Sequence, residues 1–215
     1  MSLQLFKYPK TPHLSWSPGT QSDDRFISQE DYEHLSNLQD VVVSVKMDGE
    51  NSNFYPETYH ARSLDSRDHP SRSWAKQLHG SIRHLIPNGW RICGENLYAR
   101  HSIAYDDLTT FFMAFSIWDL DLCLDWDTTV DFCKDLGIET VPVLYRGPFD
   151  ETRIRGLVAD SRLEGMEGYV VRNALSFRYS DFHRQVAKYV RKNHVQTDIH
   201  WMHQAVVPNR LKADH

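Results

Sequence analysis

The chain has 215 residues, a formal net charge of −5 at pH 7, and 40% hydrophobic and 12% aromatic residues. This length and apolar content are enough for a hydrophobic core, whereas the negative charge argues against a protein that coats nucleic acid by bulk electrostatics. No stretch reaches the roughly 20 apolar residues that a membrane helix needs, and the N-terminus lacks a secretory pattern, so we expect a cytoplasmic protein with no membrane association.

The placement of cysteines and charges gives two further indications. Cys93, Cys123 and Cys133 are an odd number without C-x-x-C spacing, which favours reduced, mostly buried thiols over a disulfide framework or a zinc knuckle. Basic residues concentrate in the last third of the chain, whereas residues 119–131 are rich in aspartate. Such an asymmetry suits a face that handles phosphates.

The chain begins with a leader, residues 1–25, whose prolines and polar residues predict irregular structure. His13 and Trp16 in this leader can stack on bases, although such a segment more often packs on its domain. Periodicity predicts helices near 29–37, 71–85, 127–136, 151–160 and 181–190, and strands at 41–46, 51–55, 90–95, 111–118, 141–145 and 168–172. This mixture indicates an α+β fold. Because the chain shows no repeat and no obvious linker, we expect a single domain over 1–215, with Gly147-Pro148 as a candidate hinge.

A candidate nucleophile stands at the end of the first predicted strand. The run Val41–Lys46 ends in a lysine, and the residues after it complete the pattern Lys46-x-Asp48-Gly49-x-Asn51. A deprotonated lysine can act as a nucleophile. Taken alone, the pattern is also compatible with a strand that ends in a solvated turn. Segments later in the chain distinguish a nucleophilic lysine from such an ordinary strand end.

Four later segments combine an apolar strand with residues that can carry chemistry. In chain order they are Trp90–Tyr105 with Glu95, Phe111–Asp119 with Phe115, Glu164–Arg172 with Glu167, and Gln185–Lys192 with Lys188 and Arg191. Each also has an ordinary interpretation as a surface carboxylate, a core strand or a strand terminus. In the segment Glu164–Arg172, Glu164-Gly165 is a competing Glu-Gly pair, but only Glu167-Gly168 is followed by an apolar strand and a terminal cation.

Together and in this order, the five segments resemble the motifs of the covalent nucleotidyltransferase superfamily, which contains the ATP-dependent RNA and DNA ligases and the mRNA capping enzymes. The stretch from Gly94 to Ile103 is specifically similar to RNA ligases of the Rnl2-like group. The resemblance implies a ligase-type nucleotidyltransferase (adenylyltransferase) domain, α+β, with antiparallel sheets and flanking helices. It also implies that ATP is the nucleotide.

The resemblance further implies roles for individual side chains. The implied catalytic residues are Lys46, Asp48, Glu95, Glu167 and Lys188, of which Lys46 takes AMP from ATP and Lys188 contacts the α-phosphate. The implied nucleotide-binding residues are Lys46, Gly49, Arg62, Glu95, Phe115, Lys188 and Arg191, with Phe115 stacked on adenine. Glu167 and Glu95 are the implied ligands of Mg²⁺ or Mn²⁺, hard cations that prefer oxygen. The last motif departs from the usual Lys-x-Lys, because Val190 stands in place of the second lysine and leaves Arg191 or Lys192 to substitute.

The residue five positions after the lysine bears on the substrate. DNA ligases and capping enzymes usually carry arginine there, whereas RNA ligases of the Rnl2-like group carry asparagine, as at Asn51. The resemblance therefore implies RNA with 5′-phosphate and 3′-hydroxyl ends, contacted by Asn51. By this resemblance, AMP passes from ATP to Lys46 and then to the 5′-phosphate, and the 3′-hydroxyl finally displaces it. Since a lysine ammonium cannot attack phosphorus, we expect Lys188 and a bound metal to lower the pKa of Lys46.

Other interpretations stay open. A non-catalytic module that binds nucleotides or RNA ends would explain the irregular last motif, and DNA ligase-like or capping-type enzymes share most of the pattern. His194, His200 and His203 near Asp198 could bind a metal, but their spacing matches no zinc signature. We expect no OB or other C-terminal domain after the last motif, so sealing could depend on an N-terminal contribution, a dimer or an end-healing kinase or phosphatase partner.

Overall fold

The computed structural model describes residues 4–20, 24–192 and 206–213. The helices are α1 (Gln29–Ser36), α2 (Ser73–Ile82), α3 (Trp126–Asp135), α4 (Glu151–Gly156) and α5 (Phe182–Gln185). The strands are β1 (Val41–Lys46), β2 (Glu50–Phe54), β3 (Tyr59–Ala61), β4 (Trp90–Asn96), β5 (Phe112–Asp119), β6 (Leu122–Cys123), β7 (Glu139–Thr140), β8 (Val143–Gly147), β9 (Gly168–Asn173), β10 (Phe177–Arg178) and β11 (Val186–Val190). Short 3₁₀ turns extend α2 at both ends, over Pro70–Arg72 and Arg83–Leu85.

Two sheets organise the fold. The first sheet has the order β11-β9-β1-β8, and all of its pairs are antiparallel. The second sheet has the order β10-β6-β5-β4-β2-β3 with antiparallel pairs, and β7 joins β5 in parallel. The turn after β1 passes directly from the first sheet to the second, because β2 begins at Glu50. The expected α+β fold with antiparallel sheets and flanking helices is therefore confirmed.

The central strand β1 is buried in the core of the first sheet. Val41, Val42 and Val43 are completely buried, since β1 lies between β9 and β8 and is covered on both faces. A run of β-branched residues suits a strand of this kind. The three cysteines are free and buried, as predicted, and burial raises the pKa of Cys93 to about 11.

The predicted helix at 181–190 is wrong in its second half. Only α5 is helical there, and β11 follows at once, paired from Val186 opposite Arg172 to Val190 opposite Gly168. Val186, Ala187 and Val190 are buried in this arrangement. Strand pairing with β9 therefore outweighs the helical pattern, because tertiary context often decides whether a segment becomes a strand. The predicted strand at 141–145 is shifted to Val143–Gly147, and the short strands β3, β6 and β10 were not predicted.

The described part of the leader, residues 4–20 and 24–25, is irregular and is hydrogen-bonded to the rest of the fold. Its backbone bonds to β11, because Lys188 N donates to Pro12 O at 2.9 Å and Leu14 N donates to Lys188 O at 2.8 Å. On its other side, His13 N donates to Arg25 O at 2.7 Å. Residues 12–14 therefore line the outer edge of the first sheet beside Lys188. Within the described ranges, no helix is long and apolar enough to cross a membrane.

Candidate active site

A cavity of about 560 Å³ is lined by strands of both sheets and by the leader. Eight of the predicted site residues line it: Lys46, Gly49, Asn51, Arg62, Glu95, Phe115, Glu167 and Lys188. Asp48 and Arg191 do not line it. A volume of this size suits a small organic ligand such as a nucleotide. Residues that lie more than a hundred positions apart in the sequence are thus brought to one site.

Lys46 and Glu167 form the central ion pair of this cavity. Lys46 ends β1 opposite Gly168, which places the preceding residue, Glu167, next to it. Lys46 Nζ lies 2.5 Å from Glu167 Oε2, and the two side chains are 25% and 9% exposed. Arg191 contributes through its backbone, since its N–H donates to Glu167 O at 3.0 Å. The pair is therefore held by strand register on one side and by the end of β11 on the other.

Two glycines permit close backbone approaches around this pair. A Cβ atom on Gly168 would lie 2.0 Å from Tyr189 O, so only glycine lets β9 and β11 come together here. A Cβ atom on Gly49 would lie 2.5 Å from Asn96 O. The Asp-Gly and Glu-Gly pairs of the sequence thus have a packing reason beside any chemical one.

The electrostatics differ from the expectation that the surroundings lower the pKa of Lys46. Burial does lower it, but Glu167, Glu95 and Asp48 outweigh burial, and the pKa of Lys46 is raised. Burial raises the pKa of Glu95 to about 8, with Glu167 and Asp48 adding to the effect and Lys46 opposing it. Before a nucleotide binds, Lys46 is therefore an ammonium paired with Glu167. The predicted lowering involves a bound metal and stays a prediction, but it left out the three acids that raise the pKa of Lys46 here.

Lys188 lies on β11 opposite Val170 of β9 and faces the same cavity. Burial lowers the pKa of Lys188, and the charge of Lys46 adds to this, while Asp24 and Glu167 oppose it. Its Nζ lies 3.4 Å from Asp24 Oδ1. Val190, two residues further on, also lines the cavity, so an apolar side chain occupies the place where the resemblance leads one to expect a second lysine.

Asp48 is turned into the protein rather than into the cavity. Its Oδ2 accepts the backbone N–H groups of Ser102 at 2.8 Å and Ile103 at 2.7 Å. Its own N–H donates to Tyr105 Oη at 2.9 Å. The carboxylate thus fastens the turn after Lys46 to the loop after β4. A direct role of Asp48 beside a reacting phosphate stays a prediction.

Phe115 presents a half-buried ring on β5 at one side of the cavity. Tyr8 of the leader meets this ring edge-on, with centroids 5.2 Å apart. Arg172, at the end of the Glu167 motif, donates from Nη1 to Phe115 O and from Nη2 to Leu124 O, both at 3.0 Å. Arg172 therefore links β9 to β5, a structural role that was not predicted from the sequence.

The remaining predicted residues of the cavity lining are Arg62 and Asn51. Arg62 follows β3 and is exposed. Asn51 lies on β2 opposite Glu95, and its Oδ1 accepts a hydrogen bond from Asn53 Nδ2 at 2.9 Å. Lys10 and Asp24 of the leader also line the cavity and were not predicted. No local pattern could have identified them, because their position depends on contacts with β11, over 160 residues away.

Glu95 and Glu167 fit a divalent cation that is coordinated partly by carboxylate oxygens and partly by phosphate oxygens. In 4–20, 24–192 and 206–213 no group of three or more His, Cys, Asp or Glu could hold a metal by itself. Mg²⁺ usually needs only one or two protein carboxylates together with phosphate oxygens and water. Glu95 and Glu167 line the same cavity, and the pKa of Glu95 is raised mainly by burial and further by Glu167 and Asp48, so a bound cation would favour its charged form. The predicted cluster of His194, His200, His203 and Asp198 lies outside the described residues.

Residues 206–212 brace the loop that holds Asp48. Asn209 is buried, its Oδ1 accepts Tyr105 N at 3.0 Å, and its Nδ2 donates to Leu97 O at 2.8 Å. We expect Asn209→Ala to lower the free energy of unfolding by about 1–3 kcal/mol, because it leaves buried backbone groups without partners. Urea denaturation measures this change. Lys212→Ala is the matched control, since its side chain is exposed and its backbone bond to Leu108 O is kept; an equal loss in both variants would contradict the role of Asn209.

A protein-family model identifies the family of this chain. The model described as RNA ligase matches residues 39–190, which include the turn after β1, the next three segments and the last segment as far as Val190. The chain belongs to the RNA ligase family. The family resemblance is thus confirmed, and placement within the Rnl2-like group stays a prediction. No curated protein matches this RNA ligase family member.

Solved structures show the same fold at low sequence identity. An archaeal ATP-dependent RNA ligase matches with a TM-score of 0.58 and 16% identity, over 87% of this chain and 48% of that chain. A Naegleria gruberi RNA ligase solved with PPi matches with a TM-score of 0.56 and 16% identity, over 87% and 61%. A mutant of the Naegleria gruberi enzyme solved with ATP and Mn matches with a TM-score of 0.55 and 16% identity, over 86% and 57%. This member of the family therefore spans about half to three fifths of these chains.

Proposed function

We propose that this chain is an ATP-dependent RNA ligase that acts through an AMP adduct on Lys46. The observation that carries the proposal is the convergence of Lys46, Glu95, Phe115, Glu167 and Lys188 on one cavity of nucleotide size. Five separated segments have no packing reason to bring two lysines, two acids and an accessible aromatic ring together. Family membership supports the same conclusion.

The cavity suggests how ATP would lie. The half-buried ring of Phe115 offers a flat face for the base, which gives stacking energy. Lys46 on β1 and Lys188 on β11 lie on the two strands that flank β9 in the first sheet, and both line the cavity, so they would present two ammonium groups to the phosphates. This arrangement supports a position for the α-phosphate between the two lysines, with Asn51 and Arg62 available for the RNA end.

The chemical step joins Lys46 Nζ to the α-phosphorus and breaks the bond from that phosphorus to the leaving pyrophosphate. Lys46 has to lose a proton first, and the Glu167 carboxylate, which it already contacts at 2.5 Å, is the nearest acceptor. A divalent cation held by Glu95 and Glu167 would neutralise charge on the phosphates and offset the acids that raise the pKa of Lys46. In the second step the AMP passes to an RNA 5′-phosphate, and in the third a 3′-hydroxyl displaces it.

RNA joining tests the proposal. Purified protein is incubated with ATP, Mg²⁺ or Mn²⁺, a labelled 5′-phosphate RNA and a 3′-hydroxyl acceptor, and products are separated by size. We expect adenylylated RNA and joined product with ATP, and neither of them with EDTA. Parallel reactions with DNA strands and with GTP distinguish DNA ligase-like and capping-type enzymes. If nucleotide binds but neither protein nor RNA is ever adenylylated, the chain is a non-catalytic binding module and the proposal fails.

The proposal also covers the domain organisation, the subgroup, the location and a partner enzyme of the protein. We infer a single nucleotidyltransferase domain, an Rnl2-like enzyme and a cytoplasmic location, from the sequence patterns described above. An end-healing kinase or phosphatase would supply the required 5′-phosphate and 3′-hydroxyl when RNA is cleaved to other ends. Adding such an enzyme to broken RNA with mismatched ends, and measuring whether joining then begins, tests this dependence.

A further inference from the structure

The leader places a second cation beside Lys188. Lys10 lines the cavity, and its Nζ lies 3.9 Å from Asp24 Oδ1. The same oxygen atom lies 3.4 Å from Lys188 Nζ. Two ammonium groups from distant parts of the chain thus converge on one carboxylate oxygen inside the nucleotide cavity.

This geometry bears on the departure in the last motif. Position 190 holds a valine that lines the cavity, and Arg191 does not line it. The strand that carries Lys188 therefore supplies one cavity cation where a pair is expected. Lys10 approaches from the leader, and its position is supported by the hydrogen bonds that tie Pro12 and Leu14 to the backbone of Lys188.

We propose that Lys10 is a nucleotide phosphate-binding residue that takes the place of the missing second lysine of the last motif. The anion now held between Lys10 and Lys188 is the Asp24 carboxylate, which carries the same charge sign and oxygen donors as a phosphate group. ATP phosphate oxygens compete with Asp24 for these two ammonium groups. This inference rests on the proposed function and extends it to a residue of the leader.

The charges around this position agree with a polyanion subsite. Lys10 is 34% exposed, whereas Asp24 is 14% exposed and lies against His13, whose Nε2 is 3.2 Å from Asp24 Oδ2. Asp24 therefore keeps its contact with His13 when a phosphate group takes the place of its carboxylate beside Lys10 and Lys188. A lysine is suited to such an exchange, because its three donors rotate and act as a point charge.

Binding of ATP and of adenosine to the Lys10→Ala variant tests the proposal. We expect ATP affinity to fall by about 5- to 50-fold, in line with the loss of one charged hydrogen bond, while adenosine affinity stays unchanged. Lys10→Arg should recover most of the ATP affinity. Lys7→Ala is the matched control, because Lys7 is an exposed lysine of the same leader that does not line the cavity.

Three outcomes would overturn the inference. They are unchanged ATP affinity in Lys10→Ala, an equal fall in Lys7→Ala, or an equal fall for adenosine, which would indicate a structural effect. Asp24→Asn gives a second test, since removal of the competing carboxylate should strengthen ATP binding, and weaker binding would contradict the competition. Failure here leaves wild-type adenylylation intact, whereas failure of the proposed function would show as no adenylylation in any variant, so the two are distinguishable.

Discussion

Lys46→Ala is expected to lower the rate of covalent AMP attachment to the protein by a factor of about 10³ or more. Loss of a covalent nucleophile removes the reaction path itself, so the effect exceeds that of losing one binding contact. The assay is retention of label from α-labelled ATP on denatured protein, followed over time. Label on Lys46→Ala at the wild-type rate would contradict the assignment of Lys46.

Lys46→Arg separates the chemistry of this side chain from its charge. Arginine keeps a cation beside Glu167, but its guanidinium does not lose a proton in proteins and cannot attack phosphorus. We expect adenylylation to be lost in Lys46→Arg while the protein keeps its fold. RNA that already carries AMP on its 5′-phosphate bypasses the lysine, so both variants should still join it. Failure of both to join it would indicate damage to the site rather than loss of a nucleophile.

Gly168→Ala is expected to lower the free energy of unfolding by about 2–4 kcal/mol. The added Cβ would meet Tyr189 O at 2.0 Å and Tyr189 C at 2.9 Å, and both are backbone atoms that cannot rotate away. β11 therefore has to move, and it carries Lys188, so adenylylation should fall as well. Thermal or urea unfolding measures the first effect, and the label assay measures the second.

Gly80→Ala is the matched control for this prediction. Gly80 lies in α2 with no atom within 4 Å of an added Cβ. Alanine should stabilise that helix by about 0.5–1 kcal/mol and leave adenylylation unchanged. If Gly168→Ala behaved like Gly80→Ala, the close approach of β9 and β11 would not be needed for the site.

Much of the fold could be predicted from the sequence because its signals are local. β1 follows from a valine-rich run, and α3 begins where Asp125 accepts the N–H of Thr128 at 2.8 Å, a local capping bond. The positions of Lys46, Glu95 and Glu167 followed from motifs placed at strand ends. All three line one cavity, because β1, β9 and β4 bring those strand ends together.

The parts that could not be predicted depend on contacts between distant segments. β11 was assigned as helix because its residues fit a helical period, and only pairing with β9 makes it a strand. The inward direction of Asp48 depends on amides of the loop at Ser102 and Ile103, and the position of Lys10 depends on the edge of β11. The pKa of Lys46 without a bound metal depends on such contacts as well, since Glu95 and Glu167, two of the acids that raise it, come from distant segments.

The most direct test is to find where AMP becomes attached. The protein is incubated with ATP and Mn²⁺, digested, and the modified peptide is sequenced by mass spectrometry, with Lys188→Ala analysed in parallel. We predict AMP on Lys46 in both proteins, with a lower yield in Lys188→Ala. AMP on another residue, or efficient RNA joining by a protein that never carries AMP, would contradict the central role of Lys46.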